Sequence, residues 1–136
     1  MRDVAYIALG SNLGDRDEHL AHARDALAQL PSSRVVAESS IEETAPLGQF
    51  DQPMYLNQMV ALETSLTPRE LLDGLQAIEE REGRTRHRRW DSRTLDLDIV
   101  CFDAQTASDP DLEIPHPGLA NRAFWQRELA ELREKR

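Results

Sequence analysis

The length, composition and charge of the chain limit the classes of protein it can belong to. With 136 residues, of which 40% are hydrophobic and 30% charged, it is long enough for one domain with a core and too apolar for disorder. A net charge of −9 argues against a general nucleic-acid or anionic-membrane binder. The single cysteine, Cys101, excludes an internal disulfide. No stretch is apolar enough for a leader or a membrane span. We therefore expect one cytoplasmic, monomeric domain over residues 1–136.

The first half of the chain predicts a strand, a helix and two further strands. Val4–Leu9 is a short apolar run that ends at the turn-forming segment 10–14. That segment has neither the Lys-Ser/Thr of a Walker loop nor three spaced glycines, so we assign it to turn geometry. Helical spacing of apolar residues over 15–30 predicts the first helix. Strand-like stretches follow at 34–44 and 55–63.

The second half predicts a helix, a strand and a terminal helix. Thr67-Pro68-Arg69-Glu70 is a capping box with proline in the first turn, and Gly83 suits the position after the helix. The pattern predicts a strand over Asp96–Ile99, a short strand over Leu112–Ile114 and the terminal helix over 123–134. Three apolar side chains of that helix are predicted to face inward: Phe124, Leu129 and Leu132. The order of elements is typical of a ferredoxin-like α+β sandwich, an antiparallel sheet with helices packed mainly on one face.

The stretch 84–99 carries the clearest chemical signal. In a strand, Asp96 and Asp98 project to one face while Leu97 projects to the other, and the two aspartates are roughly 6.5–7 Å apart along the chain. Mg²⁺ favours a few carboxylates completed by water and phosphate oxygens. The same stretch holds guanidinium groups suited to phosphate: Arg84, Arg86, Arg88, Arg89 and Arg93. A site for a metal-bound polyphosphate is therefore the first hypothesis.

The same residues also allow a purely structural interpretation. The aspartates would fit the solvent-exposed face of an ordinary strand, with nearby arginines as salt-bridge partners. However, six of the 16 basic residues of an acidic chain fall between Arg81 and Arg93, where a small anionic substrate would be attracted.

His19 and His22 lie three apart in the first helix, but the sequence offers no third metal ligand nearby, so we expect surface histidines.

Five segments of the sequence resemble one family. They are Gly10-Ser11-Asn12-Leu13-Gly14, Thr44-Ala45-Pro46-Leu47-Gly48, Asp51-Gln52-Pro53-Met54-Tyr55-Leu56-Asn57, Arg93-Thr94-Leu95-Asp96-Leu97-Asp98-Ile99 and Ile114-Pro115-His116-Pro117. Together they resemble the 6-hydroxymethyl-7,8-dihydropterin pyrophosphokinase family over most of the chain. The resemblance implies transfer of pyrophosphate from ATP to a pterin alcohol in folate biosynthesis, with release of AMP.

The resemblance also implies roles for particular residues. Asp96 and Asp98 would bind two Mg²⁺ ions, and with Arg84 and Arg93 they would form the catalytic set. The implied pterin pocket comprises Thr44, Ala45, Leu47, Tyr55, Asn57 and Phe124, with the ring stacked between Tyr55 and Phe124. The implied ATP contacts are Gln76, Glu79, Arg86, Arg89, Trp90, Ile99, His116 and Arg122. The expected partners are these two small substrates, with no nucleic acid and no membrane.

The sequence departs from the family pattern after Phe124. Relatives continue with an apolar Val-Leu-x-Pro-Leu run and further chain, whereas this chain has Trp125-Gln126-Arg127-Glu128-Leu129 and a shorter C-terminal part. This departure keeps a second hypothesis open, a catalytically impaired pterin- or nucleotide-binding module. A metal-dependent phosphodiesterase ranks third, because no additional His/Asp ligand set is evident.

Overall fold

A computed structural model describes residues 2–45, 54–83 and 94–135. Within these residues the chain forms seven strands, three α-helices and one 3₁₀ helix. The strands are β1 (Asp3–Ser11), β2 (Ser33–Glu38), β3 (Glu42–Thr44), β4 (Tyr55–Thr64), β5 (Asp96–Phe102), β6 (Ala107–Asp109) and β7 (Leu112–Ile114). The helices are α1 (Arg16–Ala28), α2 (Pro68–Arg81), the 3₁₀ helix (Pro117–Asn121) and α3 (Ala123–Lys135).

The main sheet is antiparallel and runs in the order β2-β4-β1-β5. The short strand β3 pairs with the part of β4 that precedes its pairing with β2. The strands β6 and β7 form a separate hairpin. This arrangement confirms the predicted ferredoxin-like α+β sandwich.

Two hydrophobic clusters cover the two faces of the sheet. The larger cluster packs α1 and α2 against one face, through side chains such as Leu20 and Leu75. The smaller cluster, which includes Trp125, packs α3 against the other face. Since residues of a strand alternate between faces, both clusters draw on the same strands: Ile7 enters the first and Tyr6 the second.

The helix starts follow the local signals in the sequence. Asp15 caps α1 by accepting a hydrogen bond from the Glu18 N–H at 3.0 Å. Thr67 and Glu70 form the predicted reciprocal capping box of α2. Gly83 follows the end of α2 with a φ of +86°, a backbone conformation that glycine adopts without steric cost.

Other boundaries differ from the sequence-based prediction. The predicted strand at 34–44 is two strands, because Ser39 turns inward and its hydroxyl accepts a hydrogen bond from the Met59 N–H at 2.9 Å. A register shift in the β1–β5 pairing, near Val100, places Val100 and Cys101 in the α3 cluster and Ile99 in the other cluster. The strand β6 was not predicted. Among the described residues, no helix combines the length and the apolarity that crossing a membrane requires.

Candidate active site

Asp96 and Asp98 lie on the face of β5 opposite to the buried Leu97. The predicted shared face is therefore confirmed. Both aspartates are partly exposed, and the Asp98 side chain is 42% exposed. The Tyr55 hydroxyl donates to Asp96 Oδ2 at 3.4 Å, which ties the acidic pair to β4. Two carboxylates thus face solvent at the end of the sheet, on the side where α3 packs.

His116 lies beside this acidic pair. Its Nε2 is 3.8 Å from Asp98 Oδ1, and its Nδ1 accepts the Gly118 N–H at 2.9 Å. Burial lowers the pKa of His116 and Arg122 lowers it further, against an opposing effect of Asp98. Because Nδ1 is an acceptor, the neutral ring carries its proton on Nε2. His116 therefore presents an N–H donor next to the acidic pair.

A patch of polar and aromatic side chains adjoins Asp96 across the neighbouring strands. Gly10 on β1 pairs with Asp96 on one side and with Asn57 on the other. A Cβ at Gly10 would lie 3.3 Å from Asn57 Oδ1 and 3.4 Å from Tyr55 Cδ1. Asn57 in turn donates from Nδ2 to Thr44 Oγ1 on β3. The absence of a side chain at Gly10 thus lets the amide and the aromatic ring converge over β1.

The sequence-based reasoning missed Gly10, which it assigned to a turn. A usable signal was present, because glycine inside a strand often marks a place where another group approaches the backbone closely. Because the strand was predicted to end at Leu9, Gly10 was not considered as a residue inside a strand. In the structure β1 continues through Gly10 to Ser11.

The start of α3 supplies aromatic and cationic groups near His116. The rings of His116 and Trp125 are edge-on with centroids 4.9 Å apart. The Arg122 guanidinium carbon lies 4.3 Å from the Trp125 ring centroid. Phe124 is half-buried and contacts Trp125 edge-on at 6.2 Å. These contacts connect Arg122 and Phe124 to the acidic pair through Trp125 and His116. The stacking of a ligand between Phe124 and Tyr55 stays a prediction.

Three further predicted ATP contacts are described: Gln76 and Glu79 lie on α2, and Ile99 lies on β5. Glu79 is buried on α2, and its Oε2 accepts the Leu97 N–H at 2.7 Å. Since β5 is at the edge of the sheet order, this bond holds the strand segment between the two aspartates. The Ile99 side chain is buried in the α1/α2 cluster, which leaves its backbone as the group able to meet a ligand. Gln76 is exposed on α2.

Several predicted site residues lie outside the described residues. They are Leu47, Arg84, Arg86, Arg89, Trp90 and Arg93. Ala45, by contrast, is described and lies exposed at the end of β3. Their predicted contacts with pterin and phosphate stay predictions.

The carboxylate donors suit Mg²⁺. Asp96 and Asp98 offer oxygen ligands only, and Mg²⁺ prefers one or two carboxylates with water and substrate phosphates over a closed protein cage. Within residues 2–45, 54–83 and 94–135, no group of three or more His, Cys, Asp or Glu residues could hold a metal ion. A two-carboxylate site open to water and phosphate therefore fits magnesium better than a metal that needs a full set of protein ligands.

Glu82 is a second residue that the sequence-based reasoning missed. Its Oε2 lies 2.6 Å from His19 Nδ1 and 3.1 Å from His22 Nδ1. Hydrogen bonding to Glu82 raises the pKa of His22. The two imidazole rings therefore share one carboxylate. They connect α1 to the residue that directly follows the last turn of α2.

Comparison with known proteins identifies the family. The family model described as 7,8-dihydro-6-hydroxymethylpterin-pyrophosphokinase matches residues 6–134. A 2-amino-4-hydroxy-6-hydroxymethyldihydropteridine pyrophosphokinase of Pseudomonas aeruginosa is 48% identical over 93% of this chain and 78% of the relative. The protein of the same name from Bacillus subtilis is 46% identical over 97% of this chain and 79% of the relative. The protein of the same name from Haemophilus influenzae is 48% identical over 89% of this chain and 76% of the relative. This chain belongs to the 7,8-dihydro-6-hydroxymethylpterin-pyrophosphokinase family.

Proposed function

We propose that this chain transfers pyrophosphate from ATP to 6-hydroxymethyl-7,8-dihydropterin, giving AMP and the pterin diphosphate. One observation supports this most strongly: a continuous set of contacts joins this patch of polar and aromatic side chains to an acidic pair. Thr44 bonds Asn57, Asn57 lies over Gly10, and Tyr55 beside it bonds Asp96. A flat pterin ring held on this patch would place its hydroxymethyl group towards the aspartates.

The polar patch suits one edge of a pterin. The Asn57 amide has both donor and acceptor capacity, and its bond to Thr44 holds the side chain in place over the patch. Tyr55 offers an aromatic face on which a heterocycle can stack. We place Thr44, Ala45, Leu47, Tyr55, Asn57 and Phe124 around the ring. These groups bind and orient the substrate, and none of them needs to take part in bond formation.

The acidic pair suits the triphosphate end of the reaction. We propose that Asp96 and Asp98 hold two Mg²⁺ ions, which when bound would neutralise the charge on the ATP phosphates. The number of ions rests on the two carboxylates and on the resemblance to the family. We assign His116, whose Nε2 lies beside Asp98, and Arg122 as hydrogen-bond donors to phosphate oxygens on the same side. We assign the remaining phosphate contacts to Arg84, Arg86, Arg89, Trp90 and Arg93, with Gln76, Glu79 and the backbone of Ile99 on the nucleotide side.

The bond changes follow from this arrangement. The pterin hydroxymethyl oxygen bonds to the β-phosphorus of ATP and loses its proton to solvent. The bond from the β-phosphorus to the oxygen that bridges it to the α-phosphorus breaks, and AMP leaves with that oxygen. Reactions of this type depend on positioning and charge neutralisation, so no nucleophilic side chain is required. The buried Cys101, whose pKa is raised by burial, is accordingly not assigned a role.

The experiment is an AMP-release assay that also measures the pterin diphosphate. We expect the two products in equal amounts, and neither when the pterin is omitted or Mg²⁺ is chelated. AMP formed without pterin would favour the phosphodiesterase alternative. Pterin binding without AMP would favour the binding module. Cytoplasmic location and a monomeric state belong to the same proposal, and gel filtration with light scattering tests the second.

A further inference from the structure

Glu128 is a buried acid at a position where a helix facing an apolar cluster would ordinarily carry an apolar residue. It lies on α3, is 1% exposed, and has buried neighbours in Trp125 and Leu129. Among the described residues, neither of its carboxyl oxygens receives a hydrogen bond from a conventional donor. A buried carboxylate without a donor is strongly unfavourable, so the group must be neutral or must share a proton.

Glu42 on β3 is the partner that can share that proton. Its Oε1 accepts from Arg127 Nη2 at 2.9 Å, while its buried Oε2 receives no conventional donor from the described residues. Arg127 directly precedes Glu128 on α3, so its bond to Glu42 brings the Glu42 carboxyl group to the helix segment that carries Glu128. The pKa directions of both acids agree with a hydrogen bond between the two carboxyl groups. Two carboxylates cannot form a hydrogen bond without a proton between them. One proton on Glu128 therefore satisfies an oxygen of each residue.

The charges around the pair decide which residue holds the proton. Burial and then Glu42 raise the pKa of Glu128 to about 9. For Glu42, burial raises the pKa, but hydrogen bonds from Glu128 and Arg127 outweigh it and the net direction is down. Glu131 on α3 opposes ionisation of both acids; it is itself ion-paired with Lys135 at 3.0 Å and accepts a hydrogen bond from the Ser40 hydroxyl. Glu128 is thus the donor and Glu42 the acceptor.

The location of the pair relates it to the candidate site. Glu42 pairs in register with Asn57, and Thr44, two residues further along β3, bonds the Asn57 side chain. Glu128 lies one helical turn after Phe124 on α3. The pair therefore connects the strand that carries Thr44 to the helix that carries Phe124.

We propose that Glu128, by donating a hydrogen bond to Glu42, is a positioning residue that holds β3 and α3 at the separation the pterin ring requires. This inference rests on the function proposed above. Neither glutamate is assigned a contact with substrate. Loss of the shared proton would put two adjacent negative charges at the junction of β3 and α3, which would push Thr44 and Phe124 apart. The affinity for the pterin would fall while the chemical step and ATP binding changed little.

The test compares Glu128→Gln with Glu128→Leu, with Glu134→Gln on the exposed side of α3 as the matched control. A glutamine amide donates to Glu42 without titrating. We expect the wild-type KM for the pterin to rise about three- to fourfold between pH 7.5 and pH 9.5, the loss of the protonated form that a pKa of about 9 gives over this range, with kcat and the KM for ATP nearly constant. Glu128→Gln should keep a low, pH-independent KM, and Glu128→Leu should have a raised KM at every pH. A KM that rises equally in the wild type and in Glu128→Gln would overturn the positioning role.

A second measurement needs no substrate and decides whether the proton is shared. An acid whose pKa is higher in the folded than in the unfolded state stabilises the fold fully below the unfolded value, and that stability is lost as pH rises towards the folded value. The Tm of Glu128→Gln should therefore improve relative to wild type as pH rises from about 5 to 9, whereas Glu134→Gln should track wild type. Parallel Tm curves for wild type and Glu128→Gln would contradict the shared proton. If the wild type releases no AMP, the proposed function fails, and the pocket role fails with it, but these curves still decide the state of the pair.

Discussion

Removing the Glu79 carboxylate should weaken the strand that carries the acidic pair. Its bond to the Leu97 N–H, at 2.7 Å, is buried and involves a charged acceptor. Hydrogen bonds to charged groups contribute about 1.5–3 kcal/mol, and an unpaired buried donor costs a similar amount. Glu79→Ala should therefore destabilise the fold by about 2–3 kcal/mol. For a chain of this size that corresponds to a fall in Tm of roughly 6–15 °C.

The assay is thermal unfolding without ligand, followed by kinetics of the variants that remain folded. Glu79→Gln keeps an acceptor but loses the charge, so we expect about half the loss of Glu79→Ala. Glu80→Gln, one position along on the exposed side of α2, is the control and should change stability by less than about 0.5 kcal/mol. Because Leu97 lies between Asp96 and Asp98, Glu79→Gln should also raise the Mg²⁺ concentration needed for half-maximal activity. A Tm for Glu79→Ala equal to that of Glu80→Gln would refute this reasoning.

Two further predictions concern the polar patch and His116. Gly10→Val should raise the KM for the pterin about tenfold, roughly 1.4 kcal/mol, because its Cβ would lie 3.3 Å from Asn57 Oδ1. The KM for ATP serves as the internal control, and an unchanged pterin KM would show that the ring binds elsewhere. His116→Asn keeps an acceptor for the Gly118 N–H, whereas His116→Ala does not. Because both variants lose the Nε2–H contact with phosphate, both should raise the KM for ATP about tenfold. Only the alanine variant should also lower the Tm. Unchanged ATP kinetics in both variants would remove His116 from the nucleotide site.

Features set by local sequence were predicted correctly. Thr67 and Glu70 are three residues apart, and their reciprocal capping depends only on that spacing. Asp96 and Asp98 share a face because alternation along a strand is a property of the backbone. The order of strands and helices, each predicted from local patterns, was sufficient to indicate the ferredoxin-like sandwich.

Features set by contacts distant in sequence were not predicted. The break at Ser39 depends on the Met59 N–H, which lies 20 residues further along the chain. The burial of Glu128 depends on Glu42, which lies on another strand, and helical spacing alone favoured Phe124, Leu129 and Leu132 as the inward residues. Glu79 was predicted to contact ATP, and its bond to the backbone of β5 was not foreseen, because no local pattern pairs a helix side chain with an edge-strand amide.

The central claim is that Asp96 and Asp98 hold the metal-bound triphosphate during pyrophosphate transfer. The most direct measurement is the rate of AMP release, with ATP, Mg²⁺ and 6-hydroxymethyl-7,8-dihydropterin, from Asp96→Asn and Asp98→Asn. The matched control is Asp109→Asn, an exposed aspartate on β6. We expect each site variant to lose at least about 10²–10³ in kcat, the usual cost of removing a group that stabilises transition-state charge, at unchanged Tm. The control should keep the wild-type rate. Wild-type rates of AMP release from both site variants would contradict the account.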